Sequence, residues 1–383
     1  MKHEAHLSRI LLCISFGAAT IPLPEEIIAM TDAWKPNQPP LNYSVLGSCE
    51  WGSYSVKGRT APFCLRSTND VVSDYIKRKE LWDDCYDLPA LFHHAQTQLG
   101  DRRVDDVFID VGANIGACVV HMLLSFDDLR VVALEPSGDN LFYLTSTLHR
   151  MWVDGTRTGL HERVLVLPIA STEKRGSDVL VVGTPGNAGN THVEPMREAA
   201  NSDGSKKLED MFKGSIRDEM ADTKILSKAL GSGRHKFVYS KIQAFPLSDI
   251  FDTPKIRVPL MKVDVQGSEC RVFKGAAGLL KSGRVFGVKF EAWEKGLDWQ
   301  MCGTMLGHQG ILNLLSIVRG LGFATCIERK QLIAQHTERA ACLGLNKFEA
   351  IEVGHENETI FRARKFTRGG DADIFAHRLG LQV

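Results

Sequence analysis

Asp110, Gly112, Asn114 and Gly116 fall within one stretch, Val107-Phe108-Ile109-Asp110-Val111-Gly112-Ala113-Asn114-Ile115-Gly116. An apolar run closes on an acid and passes into a glycine-punctuated turn. Gly112 and Gly116 let the backbone approach a ligand, and Asn114 tolerates a left-handed conformation better than most residues. A second acid, Glu135, follows the run Val132-Ala133-Leu134, 25 residues after Asp110. If both runs are strands of an open α/β sheet, both acids stand at the rim where such sheets bind ligands. The spacing suits a carboxylate that holds the ribose hydroxyls of a nucleoside cofactor. The glycines are spaced G-x-x-x-G, whereas a dinucleotide pyrophosphate is seated by G-x-G-x-x-G. A carboxylate at Asp110 suits the amino group of S-adenosylmethionine better than a pyrophosphate. A nicotinamide cofactor, and a structural turn that binds nothing, are the alternatives.

A second constellation is Met261-Lys262-Val263-Asp264-Val265-Gln266-Gly267-Ser268-Glu269. Period-two alternation puts Lys262 and Asp264 on one face of a strand, both near its carboxyl end. Glu291 ends the next apolar run, Val288-Lys289-Phe290-Glu291, and adds an acid to the same rim. Asp264 is the first choice for a proton acceptor, Glu291 the second and His308 the third. The competing reading of Asp264 is a carboxylate paired with Lys262 or bonded to the next helix's N-terminal amides. Trp293 and Trp299 flank the acid-bearing strand and suit either sugar stacking or the core. C-x-x-C and H-E-x-x-H are absent, so no metal site is expected. The serine-hydrolase elbow and the P-loop are absent as well.

The segments FIDVGANIG, ALEP, PIAS and MKVDVQGSE together resemble the FkbM-type methyltransferase family, over about Asp105 to Phe323. The resemblance implies a class I, Rossmann-like, S-adenosylmethionine-dependent methyltransferase that methylates hydroxyl oxygens of sugars, polyketides or related metabolites. It places Asp110, Gly112, Asn114 and Gly116 in the cofactor loop, Glu135 on the ribose, and Ala170 with Ser171 near the adenine. Asp264, Lys262 and Glu291 become the candidate catalytic residues. The family usually carries Glu where this chain has Gln266. Methyl transfer to oxygen is an in-line displacement, driven largely by positioning and helped by a base for the hydroxyl proton. A non-catalytic interaction protein on a decayed methyltransferase domain is the alternative, with an NAD-dependent oxidoreductase behind it.

The elements that must hold these residues alternate between short β-rich runs and helical patterns. Val107–Val111, Val131–Leu134, Val164–Ala170, Leu260–Val265 and Val285–Glu291 read as strands, with a further one near Ala324–Glu328. Helical spacing covers Ile115–Leu124, Asn140–Met151, Ser268–Lys281 and Gly310–Leu321. Strands buried on both faces and separated by helices predict a doubly wound, mostly parallel sheet. Residues 104–368 form the expected methyltransferase domain, interrupted by a turn-rich, then charged, insertion at about 183–240. That insertion reads as a solvated surface, with a lid or docking surface as the alternative. Residues 25–103 form an N-terminal extension with a cysteine cluster, and 369–383 a C-terminal tail.

The chain has 383 residues and balances 46 Lys and Arg against 46 Asp and Glu. That balance disfavours nucleic acid as a partner, which needs a basic excess. A small-molecule or glycan acceptor is expected instead, and oligomeric state is not legible. Lys2 and Arg9 precede a short apolar run, so residues 1–24 read as a signal peptide or anchor. The run is about half the length of a bilayer span, and no other segment has the length or continuity of one. Cys49, Cys64 and Cys85 suit disulfides in an oxidising lumen. Cys118, Cys270, Cys302, Cys326 and Cys342 read as core thiols. Sequons at Asn42 and Asn357 fit the same route. The expected location is the secretory lumen or outside the cell, or the cytoplasm if the N-terminal run is not a signal. The basic segment Arg362–Arg368 reads as a solvated face.

Overall fold

The computed structural model describes residues 21–41, 48–67, 70–99, 106–184, 187–195 and 237–291, most of 314–328, and the segments 348–350 and 373–378. The first helix, α1 (Glu25–Met30), leads to a hairpin of β1 (Glu50–Val56) and β2 (Arg59–Leu65). Lys57 and Gly58 both have positive φ at its tip, as a two-residue turn matched to strand twist requires. Two helices follow, α2 (Val71–Lys79) and α3 (Leu88–Leu99). Asp70 caps α2 by accepting from the Ser73 amide at 2.8 Å.

The main sheet then begins with β3 (Val107–Val111), α4 (Ala117–Ser125), β4 (Arg130–Leu134), α5 (Gly138–Val153), α6 (Leu160–Arg163) and β5 (Val164–Leu167). Every residue of these three strands is buried, which is why they read as unbroken apolar runs. Further along come β6 (Ala170–Ser171), β7 (Ser177–Thr184), β8 (Asn187–Pro195), β9 (Phe237–Phe245) and α7 (Leu247–Ile250). The chain re-enters the main sheet with β10 (Val258–Val263), α8 (Glu269–Gly275), α9 (Ala277–Lys281) and β11 (Val285–Glu291). It finishes with β12 (Phe323–Glu328), β13 (Phe348–Ala350) and β14 (Asp373–Arg378).

The eight-stranded sheet has the order β13-β12-β14-β11-β10-β3-β4-β5. β11, β10, β3, β4 and β5 are parallel, while β14 runs antiparallel to both β11 and β12. The order reverses between β3 and β10, so their carboxyl ends frame the crevice where open α/β sheets bind ligands. This is the doubly wound, class I methyltransferase architecture expected from the sequence. Within residues 369–383, read from the sequence as a C-terminal tail, the described segment is a strand. Asp373–Arg378 threads between β11 and β12 as an interior strand. Six residues carry too weak an alternation to be read as a strand without their sheet partners.

The insertion differs too. Its turn-rich first part is β8, which pairs with β7 in a second sheet of order β6-β9-β7-β8. Residues 196–236, which include the charged part, lie outside the described residues, as do the segments holding Trp293, Trp299, His308 and Arg362–Arg368.

The N-terminal extension is fused to this frame. Trp34 pairs with Val166 beside the β5 edge, and Lys289 of β11 donates to Asp87 at 2.9 Å. One apolar cluster joins Tyr54, Phe63 and Phe92 to Phe108, Ile115 and Leu144. Disulfides link Cys49 with Cys64 and Cys85 with Cys118, and Cys270 is disulfide-bonded as well. Cys118 and Cys270 are therefore not the plain thiols their apolar surroundings suggested. Cys118 sits in the first turn of α4 against Cys85, a pairing across 33 residues that the fold creates. At the other end, Ile21 and Leu23 pack in the main core, so the folded domain starts before residue 25. Residues 1–20 lie outside the described residues; among those described, no helix is long and apolar enough to cross a membrane.

Candidate functional site

Parallel pairing sets Lys262 of β10 beside Asp110 of β3, and Asp110 beside Ala133 of β4. Register alone thus brings a lysine to a fully buried acid. Lys262 Nζ lies 3.2 Å from Asp110 Oδ1 and 3.5 Å from Asp264 Oδ2. Burial opposes its charge, but the two flanking carboxylates outweigh burial and raise its pKa. Lys262 stays an ammonium and orients its partners.

Beyond the strand ends, the chain turns sharply. Gly112 has φ +84°, and a Cβ there would overlap the carbonyl oxygen of Asp264. The glycine is needed because two backbones meet at that point. Gly112 and Ala113 donate to the Leu134 carbonyl, and Asp264 donates to that of Val111, which knits the three strand ends together. Asn114 takes a left-handed conformation and donates its backbone N–H to Glu135 Oε2 at 2.7 Å. Glu135 Oε1 accepts from the Ser137 amide at 2.9 Å and from Asn140 Nδ2 at 3.2 Å. Burial still pushes the Glu135 pKa up to about 7 against these three donors.

A pocket opens over this rim. Gly112, Asn114, Glu135, Asn140, Ala170, Ser171, Asp264 and Gln266 line it, with Val111, Leu134, Ile169 and Val265 as apolar walls. Gly189, Thr191, His192 and Val193 of β8 form the opposite side. Asn114 Nδ2 donates to the Gly189 carbonyl at 3.3 Å, which fixes β8 to the glycine loop. The Ser171 hydroxyl is buried at this pocket without a hydrogen-bond partner among the described residues. No lysine or arginine is among the described lining residues to pair with a pyrophosphate. Carboxylates for a diol and an onium group, an orphaned hydroxyl and apolar walls fit S-adenosylmethionine.

Gln266 completes the mouth. It has φ +54°, and its Nε2 donates to Asp264 Oδ1 at 2.8 Å and to Glu291 Oε2 at 3.1 Å. One amide therefore holds two carboxylates together. A glutamate here would place three acids in contact, so the neutral residue suits this rim. Asp264 pairs with Lys262, as one reading of the sequence expected, yet it also lines the pocket. The acid that accepts from backbone amides after β10 is Glu269, from Val265 at 3.1 Å and Gly267 at 3.3 Å.

Of the candidate cofactor residues, Gly112, Asn114, Glu135, Ala170 and Ser171 line the pocket. Asp110 is buried and not among the lining residues, and Gly116 faces Leu144 of α5, where it permits close helix packing. Lys262 also lies behind the lining, and Glu291 reaches it through Gln266. Sequence reasoning missed the β8 residues, whose position depends on the second sheet. It also missed Asn140, although Ser137, three residues earlier, caps α5 directly after Glu135-Pro136.

Glu269 supplies a stability test. It is fully buried, Oε2 has no hydrogen-bond partner among the described residues, and burial pushes its pKa up to about 7. The folded state then binds a proton that the unfolded state has released, so this residue's contribution falls as pH rises through the 4.5-to-7 window. Glu269→Gln is expected to gain ~1–3 kcal/mol over wild type at pH 8 and little at pH 4.5. Urea unfolding at both pH values checks this; a gain that does not vary with pH contradicts it.

Residues 110–315 match the family model described as Methyltransferase FkbM domain. No curated protein is similar enough to count as a relative. Among solved structures, an S-adenosylmethionine-dependent methyltransferase from Agrobacterium tumefaciens is similar at 9% identity and a TM-score of 0.33, covering 88% of this chain and 72% of that one. A precorrin-6y C5,15-methyltransferase from Geobacter metallireducens is similar at 10% identity and a TM-score of 0.30, covering 82% and 93%. The plantazolicin methyltransferase BpumL is similar at 8% identity and a TM-score of 0.32, covering 80% and 88%. The family match spans more than half of the sequence, and the chain belongs to the FkbM family of S-adenosylmethionine-dependent methyltransferases.

Proposed function

We propose that the protein transfers a methyl group to a hydroxyl oxygen of a sugar, glycan or related metabolite. The observation that carries this reading is the carboxylate rim, where Asp264 lines the pocket and Gln266 joins it to Glu291. S-adenosylmethionine supplies an electrophilic methyl group on a sulfonium centre. Glu135 accepts from the ribose hydroxyls, the Gly112–Asn114 loop carries the aminoacyl end, and Ala170 with Ser171 borders the adenine. Asp264 takes the proton of the acceptor hydroxyl, while Lys262 and Gln266 hold the Asp264 carboxylate still. β8 shields one side of the pocket from water.

The reading favours a neutral acceptor. The chain has no net charge, and no cation among the described lining residues would follow a phosphate backbone. The bridging role of Gln266 supports a working site over a decayed one. Location in the secretory lumen is proposed on the two disulfides, which persist in oxidising compartments. It adds a condition, namely that the cofactor must be imported there.

Tritiated-methyl transfer over fractionated glycans, lipids, small metabolites and nucleic acids tests the proposal. Label is expected in a glycan or metabolite fraction, in an alkali-stable ether. Label in nucleic acid, or none in any fraction from a protein that binds the cofactor, would refute it.

A further inference from the structure

Arg66 directly follows β2, outside the segment that matches the family. It is buried in the seam between the hairpin and α5. Its guanidinium lies 4.4 Å over the Tyr143 ring, donates to Asp139 Oδ2 at 3.0 Å and donates to Asn140 Oδ1 at 2.6 Å. Asn140 lines the pocket and passes the contact on, since its Nδ2 donates to Glu135 Oε1. A guanidinium carries donors only. The Asn140 oxygen must therefore face Arg66, and this leaves the NH2 to face Glu135. Remove Arg66, and the Asn140 oxygen loses the donor that holds it, so the amide is no longer fixed with its NH2 on the carboxylate. The other two donors on Glu135 are backbone N–H groups, so Asn140 is the adjustable one among the described residues.

We propose that Arg66 is a positioning residue for the cofactor's ribose site, acting through Asn140 on Glu135. The N-terminal hairpin is then a working part of the cofactor pocket and not only a brace. This inference rests on Glu135 being the ribose-binding acid. The charge nearest Glu135 is Asp110 on β3, itself paired with Lys262 on β10; His192 on β8 and Asp264 after β10 line the same pocket, and Arg66 after β2 with Asp139 on α5 stands at Asn140. Without the Asn140 donor, Glu135 ionises at a higher pH, because that bond favours the charged form.

Calorimetric titration of the intact, oxidised protein with S-adenosylmethionine, from about pH 5 to about pH 9, tests the relay. Arg66→Met is expected to bind about tenfold more weakly at neutral pH. Its affinity profile should also have a midpoint displaced to higher pH. Urea unfolding run alongside reports whether the variant is folded. If Arg66→Met does not fold, Arg66→Gln decides, because a glutamine no longer dictates which end of Asn140 faces it. Wild-type affinity with an unmoved midpoint overturns the proposal. So does a uniform loss at every pH, which is what a purely structural role would give. Failure of the wild-type protein to bind is a separate result, and it would overturn the ribose reading on which the proposal rests.

Discussion

Asp264→Asn is expected to lower turnover by about 10²–10⁴-fold while leaving cofactor affinity within a few-fold of wild type. The side chain is one-third exposed at the pocket, with Oδ1 on Gln266 and Oδ2 facing Lys262. An asparagine keeps the size but can no longer take a proton. It also turns an NH2 toward one of two donors, which adds a small structural cost that the affinity measurement would register. Lys262 keeps Asp110 as a partner, so the buried pair survives the change. Steady-state kinetics together with equilibrium cofactor binding separate the effects. Equal losses in both quantities would make Asp264 a binding or structural residue and pass the base role to Glu291.

Gly112→Ala is expected to reduce cofactor affinity by at least ~100-fold and to cost ~2–4 kcal/mol of stability. At φ +84° a side chain is strained wherever it points, and here it points at the Asp264 carbonyl. Two strand ends would have to separate, displacing the loop and Asp264 together. Gly116→Ala provides the contrast. Its φ of +91° is also strained, but its Cβ would meet the tip of the Leu144 side chain, outside the pocket lining. That variant should lose stability with cofactor affinity nearly intact. Calorimetry and urea unfolding on both variants decide, and an affinity loss at Gly116 equal to that at Gly112 would contradict the division of roles.

Much of this frame was legible in the residues because parallel central strands leave a strong signature. β3 and β11 have the bounds that their apolar runs suggested, and β4 extends its run by one residue. Both central acids stand at the ends of adjacent strands, as their spacing implied. What escaped depends on long-range pairing. The β1–β2 hairpin did carry a local sign, Lys57-Gly58 between alternating residues, which its prolines and glycines obscured. β14 had none, since its place between β11 and β12 exists only in the assembled sheet. The Cys85–Cys118 bond and the β8 wall are likewise products of tertiary contact. The role of Gln266, where the family usually carries Glu, depends on its amide lying between two carboxylates, which only the fold shows.

The N-terminal extension changes most in meaning. The sequence showed it only as an extension with a cysteine cluster, yet Arg66 contacts a residue that lines the cofactor pocket. The family segment alone would lack that contact.

The measurement that bears most directly on the account is calorimetric titration of the intact protein with S-adenosylmethionine and, separately, with NAD. The pocket described here predicts saturable binding of S-adenosylmethionine, abolished by Glu135→Ala, and no binding of NAD. A folded protein that binds NAD, or that gives no heat with S-adenosylmethionine, would contradict it.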